Sequence, residues 1–410
     1  MIVKKTFAKR FLAAGLAAGL ATTGVVAAGS TANATSAPAD VRGDLRGTPM
    51  KVMTLNLYLG GPLGDAIAAA NKGLVPFLIA AAGVYDTARA TNFPLRARWI
   101  AATIKAQNPD VLTLNELTTW VAKSPKSVNL PSYDYYAILQ KELHAQGMDY
   151  RLGSLSRNAD IGYSKTVGIP YYNPKVPGCN SLVTILNCQV RLKDSDAVLY
   201  NAKNPNLRYL GYPAHGHFAT QQTFAVAGTT LSFDRGWASA AFSYRGKPVT
   251  VLTSHLEVES QDGKKGGYGP ANWPSKVQTA QANELLQIAP AVASKTFGRV
   301  ILAGDLNSDA NGWYSPAYAN LTRSYFQDSW AQVGKPFGKS VGATCCQKGN
   351  LNSPGRLDSR DPVVPTRIDL VLNHGATAVQ TAILGTAYMQ SKQPRWQSDH
   401  YFYQAKVTLN

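Results

Sequence analysis

Four short apolar runs in this chain each stop abruptly at a side chain able to bind phosphate or a metal ion. Met50–Leu55 runs into Asn56, Val111–Leu114 into Asn115-Glu116, Val249–Ser254 into His255, and Val300–Gly304 into Asp305-Leu306-Asn307. Apolar runs of this length, rich in Val, Ile and Leu, read as buried strands. Carboxylates, amides and imidazoles are costly inside a core, so they mark where each strand emerges. A single strand-terminal Asn or Asp ordinarily caps a turn. Four such ends, joined by Ser398-Asp399-His400 near the C-terminus, describe a rim where a rigid scaffold assembles a site.

The segments between these runs alternate in character. Leu95–Gln107 has the spacing of an amphipathic helix, with Ile100 and Ile104 on one face, basic residues elsewhere, and Asn108-Pro109-Asp110 as its stop. Pro274–Ser294 predicts a second helix, which Pro290 ends early. Arg367–Leu372 and Tyr401–Leu409 predict further strands. Strands alternating with helices indicate a layered α/β or α+β domain. With no internal repeat and no second composition regime, residues 49–410 are expected to form one catalytic domain. Residues 60–91 form an Ala-rich apolar insertion containing Leu74–Ile79. A buried helix covering the sheet is the preferred reading of 73–84; docking on a bilayer is the other.

The chain begins with Lys4, Lys5, Lys9 and Arg10, then an apolar run to about Ala28 and the small-residue stretch Ala32-Asn33-Ala34. This order predicts a cleaved secretory signal over 1–34, a linker over 35–48 and an extracellular protein. Removing the signal takes four of the 41 basic residues and none of the 24 acidic ones, leaving a charge of +13. Such an excess suits a polyanionic partner, nucleic acid or an anionic phospholipid surface. No obligate protein partner is evident, and a monomer is expected. In an exported chain, four cysteines point to disulfides. Cys179 and Cys188 bracket a β-rich run that they could staple as a hairpin. Cys345 and Cys346 are adjacent, so pairing between neighbours competes with cross-pairing to the first two.

Taken together, the ordered segments Thr54-Leu55-Asn56-Leu57, Pro109-Asp110-Val111 with Asn115-Glu116, Thr253-Ser254-His255-Leu256, Gly304-Asp305-Leu306-Asn307-Ser308, Arg367-Ile368-Asp369-Leu370-Val371 and Ser398-Asp399-His400 resemble the endonuclease/exonuclease/phosphatase superfamily. That superfamily includes pancreatic-type deoxyribonucleases and bacterial sphingomyelinases. The insertion, Asn158-Ala159-Asp160 and Ala343-Thr344-Cys345-Cys346-Gln347 are similar to a secreted bacterial branch. Where the family usually has Gln-Glu, this chain has Asn115-Glu116, one methylene shorter. The resemblance implies two packed mixed β-sheets flanked by helices in a four-layer sandwich.

It also implies a role for each residue. Glu116, with Asn56 and Asp399, would hold Mg²⁺ or another divalent cation such as Mn²⁺ or Ca²⁺. Asp305 and Asn307 would position the attacking water and a phosphate oxygen. His400 would be the general base or the phosphate-contacting imidazole, with Asp369 on its other nitrogen; Arg367 and Arg395 are competing partners for Asp369. His255 would be the second imidazole. Arg235 and Trp237, from Asp234-Arg235-Gly236-Trp237, are candidates to line the cleft. Lys264 and Lys265, in a Gly-rich loop with Tyr268 and Trp273, suit phosphate contact. His215 and His217, in a Gly- and Pro-containing turn, read as surface histidines. The expected reaction is metal-dependent hydrolysis of a phosphodiester, nucleic acid first and a phospholipid headgroup second, with a phosphomonoester also within reach of the same site.

Overall fold

The computed structural model describes residues 48–410 apart from 71, 165, 182–184, 227–228, 259–272, 311–314, 336–341 and 353–365. The expected signal, residues 35–47 of the expected linker, and Lys264 and Lys265 lie outside the described residues.

Strand β1 (Met50–Asn56) opens the domain, followed by helices α1 (Leu63–Ala70), α2 (Leu74–Ala90) and α3 (Phe93–Gln107). Then come β2 (Val111–Asn115), β3 (Thr119–Lys123), β4 (Tyr133–Asp134), α4 (Tyr135–Ala145), β5 (Tyr150–Ile161), β6 (Ile169–Pro170) and β7 (Gln189–Asn201). The middle of the chain supplies β8 (Leu207–His217), a small ribbon of β9 (Thr223–Val226) and β10 (Thr229–Ser232), β11 (Gly236–Tyr244) and β12 (Lys247–Ser254). The last part contains α5 (Trp273–Val292), β13 (Val300–Asp305), α6 (Ala317–Ser324), β14 (Gln327–Asp328), α7 (Ser329–Gln332), β15 (Asp369–His374), β16 (Ala376–Leu384) and β17 (Phe402–Leu409).

These strands form two mixed sheets. One runs β16-β17-β1-β2-β7-β3-β4, with β5 and β6 also on β7; the other runs β14-β15-β13-β12-β11-β8. The period of two along each strand builds the layers. Met50 and Val52 of β1, Val251 of β12, Ile301 and Ala303 of β13 and Val371 of β15 meet between the sheets. Their neighbours turn outward: Met53 and Leu55 pack under α1–α4, while Leu252, Val300, Leu302, Leu370 and Leu372 pack under α5 and α6. Both faces of the central strands are therefore apolar, and the result is helices, sheet, sheet, helices, the four-layer arrangement implied by the resemblance.

Several expectations are corrected. α5 continues through Pro290 to Val292. Proline forfeits one intrahelical bond there, but so close to the C-terminus few turns remain to be broken. Among the described residues between Cys179 and Cys188, Ile185–Asn187 form a 3₁₀ turn and not a strand. Cys179 is paired with Cys188, and Cys345 with Cys346. His215 and His217 are exposed as expected, but they belong to edge strand β8 and not to a turn. On α3 the buried face includes a basic residue: Arg96 lies four before Ile100 and is fully buried. It donates to the carbonyls of Leu57, Tyr58, Thr91 and Gln397 at 2.6–3.1 Å, tying the loop after β1 to the segment before His400.

Candidate active site

Strand direction explains why distant segments meet. β1 and β2 are parallel with Asn56 opposite Asn115, and β12 and β13 are parallel in the other sheet, so their C-terminal ends point the same way within each pair. β15 is antiparallel to β13, with Asp369 opposite Asp305; β17 is antiparallel to β1. Asp369 and His400 thus enter their strands at the rim where Asp305 and Asn56 leave theirs. Gly304 allows this convergence, since a Cβ there would collide with the carbonyl oxygen of Ser254. Past the strand ends, Tyr58, Glu116 and Asn307 adopt left-handed φ values of 59°, 53° and 48°. Such backbone is strained for residues with a Cβ, and strain of this kind concentrates at functional sites.

Asp305 is the hub. Its Oδ2 accepts from Asn56 Nδ2 at 2.9 Å and lies 3.3 Å from His255 Nε2 and 3.7 Å from His400 Nε2. Its Oδ1 accepts from the Asn307 backbone N–H at 2.9 Å. The Asn307 amide nitrogen is 2.8 Å from His255 Nε2 and also donates to the Leu256 carbonyl at 2.9 Å. Asn56 Nδ2 reaches Glu116 Oε1 as well, at 3.2 Å, while Asn56 Oδ1 accepts from the Tyr58 backbone N–H at 2.8 Å. Glu116 Oε2 accepts from Leu59 N–H at 2.5 Å. On the far side, His400 Nδ1 is 2.7 Å from Asp369 Oδ2. Arg367, one of the competing partners, instead pairs with Asp328 at 2.7 Å.

Burial and crowding set the protonation of these groups. Burial, countered by His400 and reinforced by Glu116, pushes Asp399 up to about 7. Burial likewise brings Asp305 up to about 6, against His400 and with Asp369. Glu116 is raised by the same desolvation. Burial disfavours a charged His400, but Asp369, Asp305 and Asp399 around it win and hold its pKa well above the ordinary imidazole value. Burial, then Arg235 and His400, push His255 well below that value. The two imidazoles therefore differ in charge near neutrality.

The cleft in front of this cluster encloses about 240 Å³ and is lined by Glu116, Asp305, Asn307, Asp399, His255 and His400 among others. Asn56 and Asp369 stand behind it, in contact with the lining groups. Arg235 also lines the cleft, buried, 3.7 Å from Glu257 and with its guanidinium 4.7 Å from the centre of the Phe233 ring. Trp237 instead packs on the core beneath α5. A hard divalent cation fits this donor set: Glu116 and Asp399 bring two half-buried carboxylates to one cleft, where Glu116 helps to raise the pKa of Asp399. A cation would relieve that repulsion.

Two buried acids were missing from the sequence reading, which gave no role in the site to two amides that it named, Asn115 and Asn158. Asp194 and Asp196 on β7 are buried beside His255, with ligand atoms of all three within 4.8 Å of one another. Asn115 donates to Asp196 at 2.8 Å and accepts from the Asp305 backbone N–H at 2.8 Å, a bond from one sheet to the other. The amide of Asn158 donates to Asp196 at 2.7 Å. A signal existed for the acids: Val190, Leu192, Asp194 and Asp196 alternate on one buried face, so an acid pair continues an apolar stripe.

Comparison with known proteins agrees with this fold. No functionally curated protein matches the sequence. The solved structure of an endonuclease/exonuclease/phosphatase from Beutenbergia cavernae is 19% identical, with a TM-score of 0.50 over 88% of this chain and 72% of that one. A family protein from Bacteroides thetaiotaomicron is 14% identical, with a TM-score of 0.50 over 88% of this chain and 96% of that one. At these identities the likeness is one of fold. Residues 53–400 match the Endonuclease/Exonuclease/phosphatase family. With the match spanning most of its length, the chain belongs to that family, whose members are hydrolases of phosphoester bonds.

Proposed function

We propose that the protein is a divalent-metal-dependent phosphodiester hydrolase in which water attacks phosphorus. The observation that carries this reading is the single carboxylate oxygen of Asp305, shared among Asn56, His255 and His400 within 3.7 Å. Such a group can orient a water while the two imidazoles face the phosphate oxygens and the leaving group. His400, held protonated by its acidic neighbours, donates to the phosphate; His255, kept neutral by burial and Arg235, accepts from the Asn307 amide through Nε2 and so fixes Asn307 in the cleft. Arg235 is placed to pair with a phosphate oxygen. Glu116 and Asp399, with Asn56 behind them, would hold Mg²⁺, Mn²⁺ or Ca²⁺, which when bound supplies charge neutralisation at the phosphate.

Among the described residues lining the cleft, Arg235 is the one Arg or Lys, whereas Leu59, Pro62, Leu63, Ile67 and Phe233 form apolar walls. That balance favours a phosphodiester carrying an apolar group over a nucleic-acid backbone, which calls for several cations. Export and a monomeric state form part of the same proposal. Purified mature protein given Mg²⁺ and, in parallel, DNA, RNA and sphingomyelin liposomes tests the reading. Hydrolysis that stops with EDTA and with Glu116→Gln is expected. Hydrolysis indifferent to both would overturn it.

A further inference from the structure

From Leu74 to Tyr85, α2 contains no charged residue. A helix that is apolar all round is ordinarily buried all round, but α2 is covered on one side only. Phe77, Leu78, Ala82, Val84 and Tyr85 are buried. On the other side Val75, Ile79 and Gly83 follow one another at intervals of four and are exposed, with Leu74 and Pro76 beside them in the first turn. Leu74, Val75 and Ile79 are 44%, 44% and 47% exposed. The preferred expectation of a wholly buried helix over 73–84 is therefore met by half of the helix. Exposed Lys72 sits at its start.

The covered side of α2, opposite this stripe, is connected to the chemistry. Under α2 lies an open, apolar cavity of about 40 Å³ bounded by Leu63 and Ile67 of α1, Phe77, Ala81 and Val84 of α2, and Trp120. Leu63 and Ile67 also form a wall of the catalytic cleft. At roughly 10–15 Å³ for one water-sized group, the cavity has room for about three methylene-sized groups. Apolar surface thus extends from the phosphate site, past α1, to the helix whose outer face has no partner among the described residues.

We infer that α1 and α2 form a bilayer-docking surface, with the outer stripe of α2 lying at the boundary of headgroups and acyl chains and Leu63–Ile67 leading a hydrocarbon-bearing phosphodiester into the cleft. No described helix is long and apolar enough to cross a membrane, so the geometry is that of a helix lying on the surface. The charge of +13 left once the expected signal is removed, and Lys72 at the edge of the stripe, complement an anionic leaflet. The substrate class is an amphiphilic phosphodiester taken from a membrane, a specification that rests on the phosphodiesterase reading above.

The test uses the mature protein, phosphatidylcholine vesicles containing phosphatidylglycerol, and a variant combining Leu74→Ser, Val75→Ser and Ile79→Ser. These side chains are outside the cleft, and matching circular dichroism and melting curves confirm that the variant folds. Co-sedimentation with vesicles is expected to fall about tenfold or more in the variant, while Mg²⁺-dependent hydrolysis of soluble bis(p-nitrophenyl) phosphate is unchanged. Wild-type protein that hydrolyses the soluble diester but ignores vesicles, or a variant that binds them as well as wild type, overturns the docking surface and leaves the phosphodiesterase reading standing. Vesicle binding lost in the variant, with no diester hydrolysis by either protein, supports docking and sinks the phosphodiesterase reading. A lipid-free dimer that the variant dissociates would assign the stripe to a second copy and overturn the inference.

Discussion

His400 and His255 approach the same Asp305 oxygen from different elements, at 3.7 and 3.3 Å, and both are buried. Desolvation pushes each of them toward the neutral ring. The difference lies in what surrounds them. Three carboxylates overcome burial at His400, whereas Arg235 and His400 itself add to burial at His255. Asp194 and Asp196 are close to His255 too, but burial raises both their pKa values, Asp196 to about 6 and Asp194 well above the ordinary range. Asp305 is brought up to about 6 just as Asp196 is, so ionisation of the neighbouring acids does not separate the two rings. Direct contact does: Asp369 lies 2.7 Å from His400 Nδ1, whereas His255 Nδ1 is buried with no hydrogen-bond partner.

The comparison can be broken most severely at His400. Replacing it with Ala is expected to lower kcat by about 10²–10⁴-fold without unfolding the chain, measured on a soluble diester with circular dichroism alongside; near wild-type turnover would remove it from the machinery. Asp369→Asn comes next, with a loss of roughly 10–100-fold. Removing the negative partner of the imidazolium lowers the pKa of His400, so the limb of the pH–rate profile that follows loss of its proton should move to lower pH. An unmoved limb would mean that Asp369 acts only as packing.

Asp194→Asn sharpens the contrast and has the smallest expected effect, less than about tenfold in kcat. Both Asp194 oxygens are buried and accept no hydrogen bond from another side chain. Its raised folded-state pKa means that stability is greatest while the acid is protonated and falls as pH rises through that pKa. The amide cannot ionise, so the Tm of the variant should gain on wild type as pH increases. A Tm difference independent of pH would show Asp194 to be ionised in the fold like an ordinary surface acid.

How legible each half was in the sequence follows the same physics. Asn56, Glu116, His255, Asp305 and His400 stand where apolar runs stop, and an abrupt change of polarity is visible in one dimension. Asp194 and Asp196 sit inside a 13-residue strand, where alternation with Arg191, Lys193 and Ser195 resembles a solvated edge. Arg96 was similarly hidden, because a basic residue on an amphipathic helix normally faces water; its four backbone carbonyl partners come from segments far apart in sequence. A layered domain was readable from the alternation of strands and helices and its four layers from the family resemblance, but the order of the strands was not. The long partners β5, β7 and β8 mix polar and apolar residues too evenly to be picked out without their neighbours.

The bond from Asn115 Oδ1 to the backbone of Asp305 has a consequence for quality control. With the bond from Asn56 to Asp305, it spans the seam between two sheets that meet largely through apolar side chains, and apolar contacts tolerate sliding. A slip of one sheet along the other by a single residue, about 3.3 Å, would leave the interface greasy and compact but carry Asp305 away from Asn56 and Asn115. Specific activity per folded molecule therefore audits the docking of the sheets, detecting misassembled sandwiches that spectroscopy of secondary structure would pass as native.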